Sequence, residues 1–164
     1  YNGVRTDLKG ERADFQVQTG YLVQNTQLLD INYIVNHIGK KTTSNVTADG
    51  TLKDAAHKVF RGSIDFKRGA SGAKGTESEQ VLLLGDDVIN QTIPLILCAE
   101  EDVEGNHGAS IGQLDEEMLF YLSSRGMSAE SASKMIARAR MDAVCQKIGD
   151  EQLEKLVQDY LEEE

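Results

Sequence analysis

The chain has 164 residues, enough for one domain with a small appendage, and its 40% hydrophobic content excludes disorder throughout. The net charge is −10, with 15 acids against 11 bases in residues 1–114 and 12 against 6 in residues 115–164. Neither half offers the positive face that nucleic acid or an anionic membrane requires, whereas an acidic surface suits metal cations or a basic protein partner.

Aromatic residues make up 5% and Trp is absent, so the core must be mostly aliphatic. Two Cys lie 47 positions apart and form neither a CxxC pair nor a disulfide framework. Free thiols fit a reducing compartment, the cytoplasm or, in a plant, the plastid stroma. The longest apolar run, Ile93 to Ala99, is too short to span a bilayer, and no signal-peptide pattern opens the chain.

In chain order, Tyr1 to Arg12 is polar and punctuated by Gly, and reads as loop or frayed edge. Asp14 to Thr19 alternates Phe15 and Val17 against Gln16 and Gln18, which predicts a half-buried strand. Further strand patterns follow at Gln27 to Asn36, Lys41 to Ala48 and Val59 to Phe66. Gln80 to Leu84 and Ile93 to Cys98 are dense enough to be buried on both faces. The strand centres fall near Val17, Ile31, Val46, Ile64, Leu82 and Ile96, at spacings of 14, 15, 18, 18 and 14. No helical stripe intervenes, so this portion is all-β, and the spacing permits either a solenoid or a sandwich. Gly69 to Gly75 superficially resembles a phosphate loop, but Lys74 precedes Gly75 and Thr76 and no helix follows. It reads as a tight turn.

From Asp115 the apolar period becomes 3.6. Asp115, Ser128 and Asp150 are placed to cap three short helices, and Gly126 and Gly149 to end the first two. Their stripes are Met118, Tyr121 and Leu122; then Ala132, Met135, Ile136, Ala139 and Ala143; then Leu153, Leu156, Val157, Tyr160 and Leu161. Such short amphipathic helices must pack on each other, on the strands or on a partner.

His107 lies among small residues, Gly105-Asn106-His107-Gly108-Ala109. A loop His bonded to a nearby carbonyl and a metal ligand are both open readings, and no second ligand is spaced to match. Glu100, Glu101, Asp102 and Glu104 form a cation-friendly cluster. It could be a solvated loop, an iron site beside His107, or the paired carboxylates of a carbohydrate-active β-helix enzyme; the scarcity of aromatic platforms argues against the last. Cys98, at the end of an apolar strand, and Cys145, in the second helix, read as small buried hydrophobes. His37 and His57 look incidental.

The stretch IPLILCAEEDVEGNHGASIGQLDEEMLFYLSSRG (Ile93 to Gly126), with FRGSIDFKRGASGAKGTESEQVLLL (Phe60 to Leu84) before it, resembles the SufB/SufD family of iron–sulfur cluster assembly scaffolds, and within it the SufD branch. The resemblance implies a mainly β fold: a right-handed parallel β-helix over residues 1–114 and a small α-helical appendage over 115–164. It implies a non-enzymatic subunit that is a fragment of a longer protein. His107, in the Asp102-Val103 to His107-Gly108-Ala109 motif, is then associated with a transient iron or nascent cluster at the contact with a SufB-like subunit. On that reading Glu101 and Asp102 are further iron ligands, and nothing is tightly bound in isolation. Some relatives carry a Cys two positions before this His; Gly105 stands there, so the partner must supply any thiolate. A SufC-like ABC ATPase would dock on Met118, Tyr121 and Leu122 or on Met135 and Ile136. An exposed first rung predicts homodimerisation of the isolated chain.

Overall fold

The computed structural model describes residues 1–163. It contains β1 (Asn2–Leu8), β2 (Asp14–Val23), β3 (Leu28–His37), β4 (Thr43–Lys53), β5 (His57–Phe66), β6 (Ala73–Leu84), β7 (Ile89–Cys98) and β8 (Val103–Gln113), then α1 (Glu116–Ser124), α2 (Ala129–Cys145) and α3 (Glu151–Glu163). The odd strands form one sheet in the order β1-β3-β5-β7 and the even strands a second in the order β2-β4-β6-β8. All the ladders are parallel. This is the expected β-helix, of about four rungs, each rung one strand from each sheet. The chain advances 29 to 32 residues per rung, read from pairs such as Asn2 with Ile31 and His57 with Ile89. The spacing of 14 to 18 between strand centres was therefore one crossing from sheet to sheet.

Alternation sends every second side chain inward, and parallel registry stacks like on like through the rungs. Ile31 lies beneath Phe60, Val35 beneath Ile64, and Val17 beneath Val46. These residues build one core spanning Leu8, Tyr21, Ile31, Val35, Val46, Leu52 and Phe60, and a second around Ile64 and Phe66. His37 is part of this packing rather than incidental. It is fully buried, stacks on Phe66 at 4.7 Å, and has Thr42 Oγ1 and Ser44 Oγ each at 2.8 Å from its two ring nitrogens. Burial lowers its pKa to about 4.

Two stretches read as loop are strands. β1 pairs along its length with β3, and Val4 and Leu8 join the core beneath it. Val103 to Gln113 pairs with β6, so His107 is a strand residue. Both are terminal strands: each has a neighbour on one side only, and such strands carry polar residues that blur the alternation.

The corners repeat as well. Arg12, Lys41 and Gly72 all take positive φ (60°, 55° and 74°) and stack one above another. The amides of Arg12, Lys41 and Gly72 donate to the carbonyls of Lys40, Ser71 and Asp102 at 2.9, 2.9 and 2.7 Å. Gly69 to Gly75 is thus a rung corner running into β6, as its residues suggested.

The helix caps fall where the residues place them. Asp115 accepts from the Glu117 amide at 2.9 Å, Ser128 from Ser131 at 3.1 Å, and Asp150 from Gln152 at 3.0 Å. Gly126 and Gly149 take φ of 88° and 71°. The face of α2 differs from the expected stripe: Ala132, Met141 and Cys145 are buried, whereas Met135, Ala139 and Ala143 are exposed. The cause lies on the sheet. Gly20 points outward from β2, and a Cβ there would sit 2.6 Å from Val144 Cγ1. The bare backbone admits Val144 and rolls the helix so that Met141 and Ala137 meet Leu22 and Leu84 around a cavity of about 110 Å³. α2 therefore lies on the outer face of β2 and β4.

Candidate functional site: the open end of the solenoid

β7 and β8 close the ladder, and among the described residues no strand pairs above them. Registry with the buried rung below sets which of their side chains face inward. On β7 these are Thr92, Pro94, Ile96 and Cys98, above Phe60, Gly62, Ile64 and Phe66. On β8 they are Gly105, His107, Ala109 and Ile111, above Gly75, Glu77, Glu79 and Val81. Without a further rung this layer is a lid only one side chain thick. Cys98 is consequently exposed, not buried, and so are Ile93, Leu95 and Leu97 on the outer face of β7, at 44–52% of their full accessibility. The apolar density that suggested burial on both faces belongs to an uncovered edge.

Beneath this layer the lumen changes chemistry. Lys58, Glu77 and Glu79 all point inward and are almost fully buried. Lys58 forms an ion pair with Glu79, whose carboxylate also accepts from the Tyr21 hydroxyl at 3.2 Å and from Thr92 Oγ1 at 2.6 Å. The Lys58 ammonium lies 5.7 Å from the ring centres of both Tyr21 and Phe60. Burial pulls the Lys58 pKa down, with Glu79 opposing, and pushes the Tyr21 hydroxyl up, with Glu79 adding to it. Tyr21 reaches this cluster only because Gly50, one rung above it, leaves room: a Cβ there would lie 2.1 Å from its ring.

Glu77 is less well served. It is 2% exposed and its Oε1 has no hydrogen-bond partner. Burial, then the nearby Glu79 charge, raise its pKa to about 7. Above it, in direct register, stands His107, with Nδ1 3.6 Å from Oε1. The His107 side chain is 25% exposed, one edge against Glu77 and the other toward the open end.

The expected ligands Glu101 and Asp102 do not join His107. Five steps of nearly extended chain separate Asp102 from His107, about 16 Å at strand rise. Among the described residues no three His, Cys, Asp or Glu side chains converge as a metal site. The acidic cluster instead fastens the last corner. Glu100 accepts from the Gly69 amide at 2.9 Å, Asp102 from Ser71 Oγ at 2.7 Å, and Glu104 pairs with Lys74 at 2.8 Å. On the helices, Met118 and Tyr121 are exposed, as is Met135, while Leu122 and Ile136 are half-buried.

The reading of the residues missed Lys58, Glu77 and Glu79, because Thr76-Glu77-Ser78-Glu79 is polar throughout and resembles surface. The signal lay one rung away: Val17 and Val46 stand 29 residues apart, and Glu77 and His107 continue the same column at 31 and 30.

The family model described as SUF system FeS cluster assembly, SufBD core domain, matches residues 1–140. "Iron-sulfur cluster assembly protein SufD" of Bacillus subtilis is 30% identical over 131 residues, 80% of this chain and 30% of that protein. "Iron-sulfur cluster assembly protein SufB" of the same organism is 30% identical over 129 residues, 79% of this chain and 28% of that one. An iron-sulfur cluster assembly SufBD family protein of Staphylococcus saprophyticus is 31% identical over 129 residues, with 79% and 28% covered. The chain spans less than a third of the length of these curated relatives. With most of its length matched by that family model, the chain belongs to the SufB/SufD family, and it is similar to SufD.

Proposed function

We propose that the chain serves iron–sulfur cluster assembly as a non-enzymatic scaffold, presenting His107 at the open end of its β-helix to a site completed by a SufB-like subunit. The observation that carries this reading is the uncovered last rung. β7 and β8 are long strands with one unpaired edge each, flanked by exposed Ile93, Leu95 and Leu97. Unpaired edges of this length are templates for a second chain. A partner seated there would cover the apolar stripe and meet the free edge of the His107 ring. Iron and sulfide are cargo in this reading, and their remaining ligands come from the partner. The commitment of Glu100, Asp102 and Glu104 to the last corner favours the scaffold over a carbohydrate-active enzyme using those carboxylates.

A SufC-like ATPase would dock on the helices, where Met118, Phe120, Tyr121 and Met135 are exposed. Nucleotide-driven movement of that partner would shift the population of open and closed forms of the shared site. The test is co-expression with SufB-like and SufC-like subunits, then iron and sulfide analysis of the purified assembly. His107→Ala should leave the assembly intact and remove most of its cluster. Unchanged cluster content in an intact assembly would overturn the assignment of His107, and failure to co-purify would overturn the scaffold reading.

A further inference from the structure

Glu77 occupies a position that the fold fills elsewhere with a hydrocarbon. Its column runs Val17, Val46, Glu77, His107, and a valine satisfies the two lower places. A carboxylate there loses its water and must find compensation inside. Glu79, two residues on, has that compensation in Lys58, Tyr21 and Thr92, whereas Glu77 Oε1 has none. The facing sheet is shaped to hold the group nonetheless. Gly62 lies opposite, and a Cβ on it would fall 1.9 Å from Glu77 Oε2, so a larger residue there would force the carboxylate to shift. The slot is built for Glu77, and the orphaned oxygen lies 3.6 Å from the Nδ1 of His107.

We propose that Glu77 is the positioning residue of His107: its carboxylate accepts a hydrogen bond from Nδ1–H, fixes the ring plane, and so leaves Nε2 as the unprotonated, ligand-competent nitrogen facing the open end. The separation of 3.6 Å is longer than a hydrogen bond, and a small ring rotation closes it. Carboxylates behind metal-binding imidazoles act in this way, holding the tautomer and raising the basicity of the far nitrogen. The inference deepens the proposed function and rests on it only for what Nε2 takes.

The tautomer is read directly by long-range ¹H–¹⁵N correlation in the histidine-labelled chain at mildly alkaline pH, where three histidines are few enough to assign with His107→Asn as reference. The expected spectrum places the His107 proton on Nδ1. Glu77→Val, which installs the residue type of the column below, should return His107 to the Nε2–H form that free imidazole side chains favour. A wild-type signal in the Nε2–H form overturns the proposal, even where Glu77→Val fails to fold, and so does an unchanged tautomer in a folded Glu77→Val. A second readout is Co²⁺ titration of the chain in complex with a SufB-like partner, followed by the visible absorption that His107→Ala abolishes. Glu77→Val should weaken this binding roughly 10–100-fold. Cobalt absorption independent of His107 in the wild type would sink the proposed function while leaving the tautomer result, and the role of Glu77, standing.

Discussion

The lower two rungs and the upper two share one backbone geometry but bury different things. Below, Val17, Val46, Ile31 and Val35 stack as hydrocarbon on hydrocarbon, with the Thr19 and Tyr33 hydroxyls 2.6 Å apart and His37 held between Thr42 and Ser44 as satisfied exceptions. Above, Glu77 enters the valine column and Lys58 and Glu79 continue the columns of Leu29 and Ala48, and the last layer carries Thr92, Cys98 and His107. Solenoid registry rewards repetition, so a break in a column needs a reason that the packing does not supply. The difference teaches where stability resides and where it has been given up: buried ion pairs rarely gain over hydrocarbon of the same shape, yet removing one partner is severe.

The sharpest way to break the comparison is to delete one charge. Lys58→Met should destabilise by about 3–5 kcal/mol, because Glu79 is left buried and unpaired. Lys58→Met with Glu79→Leu should recover that loss, and urea denaturation of both variants measures it. A lesion of similar size below, Ile31→Ala, should lose about 2–5 kcal/mol with no second-site charge rescue.

Acid titration separates the regions next. His37 has its pKa lowered to about 4 from 6.5, so the folded state binds fewer protons there. Its contribution is present above pH 6.5 and is lost as the pH falls toward 4, on the order of 3 kcal/mol in all. Glu77 has the opposite sign: raised from 4.5 to about 7, it favours the folded state at low pH and loses that advantage as the pH rises through 7. Between pH 4.5 and 6.5 the two oppose each other, so wild-type stability should vary little. Glu77→Gln removes one side and should expose the full acid-side fall, read as denaturation midpoints across this range. Parallel wild-type and variant profiles would show that Glu77 does not hold its proton.

Gly62→Ala should lose about 1–3 kcal/mol by crowding the Glu77 carboxylate, and the loss should shrink when combined with Glu77→Ala. The smallest effect is expected at Gly20→Ala, about 1 kcal/mol, because α2 can lift from β2 while the rungs stay paired. Faster amide exchange confined to α2 would identify it.

Much of this architecture was legible in the residues. Alternation and short apolar or Thr-rich runs located six of the eight strands, and Asp115, Ser128, Asp150, Gly126 and Gly149 placed the helix ends, because capping and strand patterning are local rules. What required the third dimension was hidden. The edge position of β7 turned an apolar run into an exposed one and put Cys98 in solvent. The bare Gly20 decided which face of α2 is buried. Lys58, Glu77 and Glu79 look like surface until the interval of about 30 residues lines them up beneath Asn90, His107 and Ala109 in the inward-facing columns.

The two unpaired edges of the last rung lie at the same end of the solenoid, one in each sheet. A lone extended peptide can zip onto one of them but leaves the other row of amides and carbonyls bare. Only a body that offers two matching rims at once satisfies both. The ledge therefore discriminates by shape against stray unfolded chains, and fibril-like growth is discouraged at this end of the solenoid.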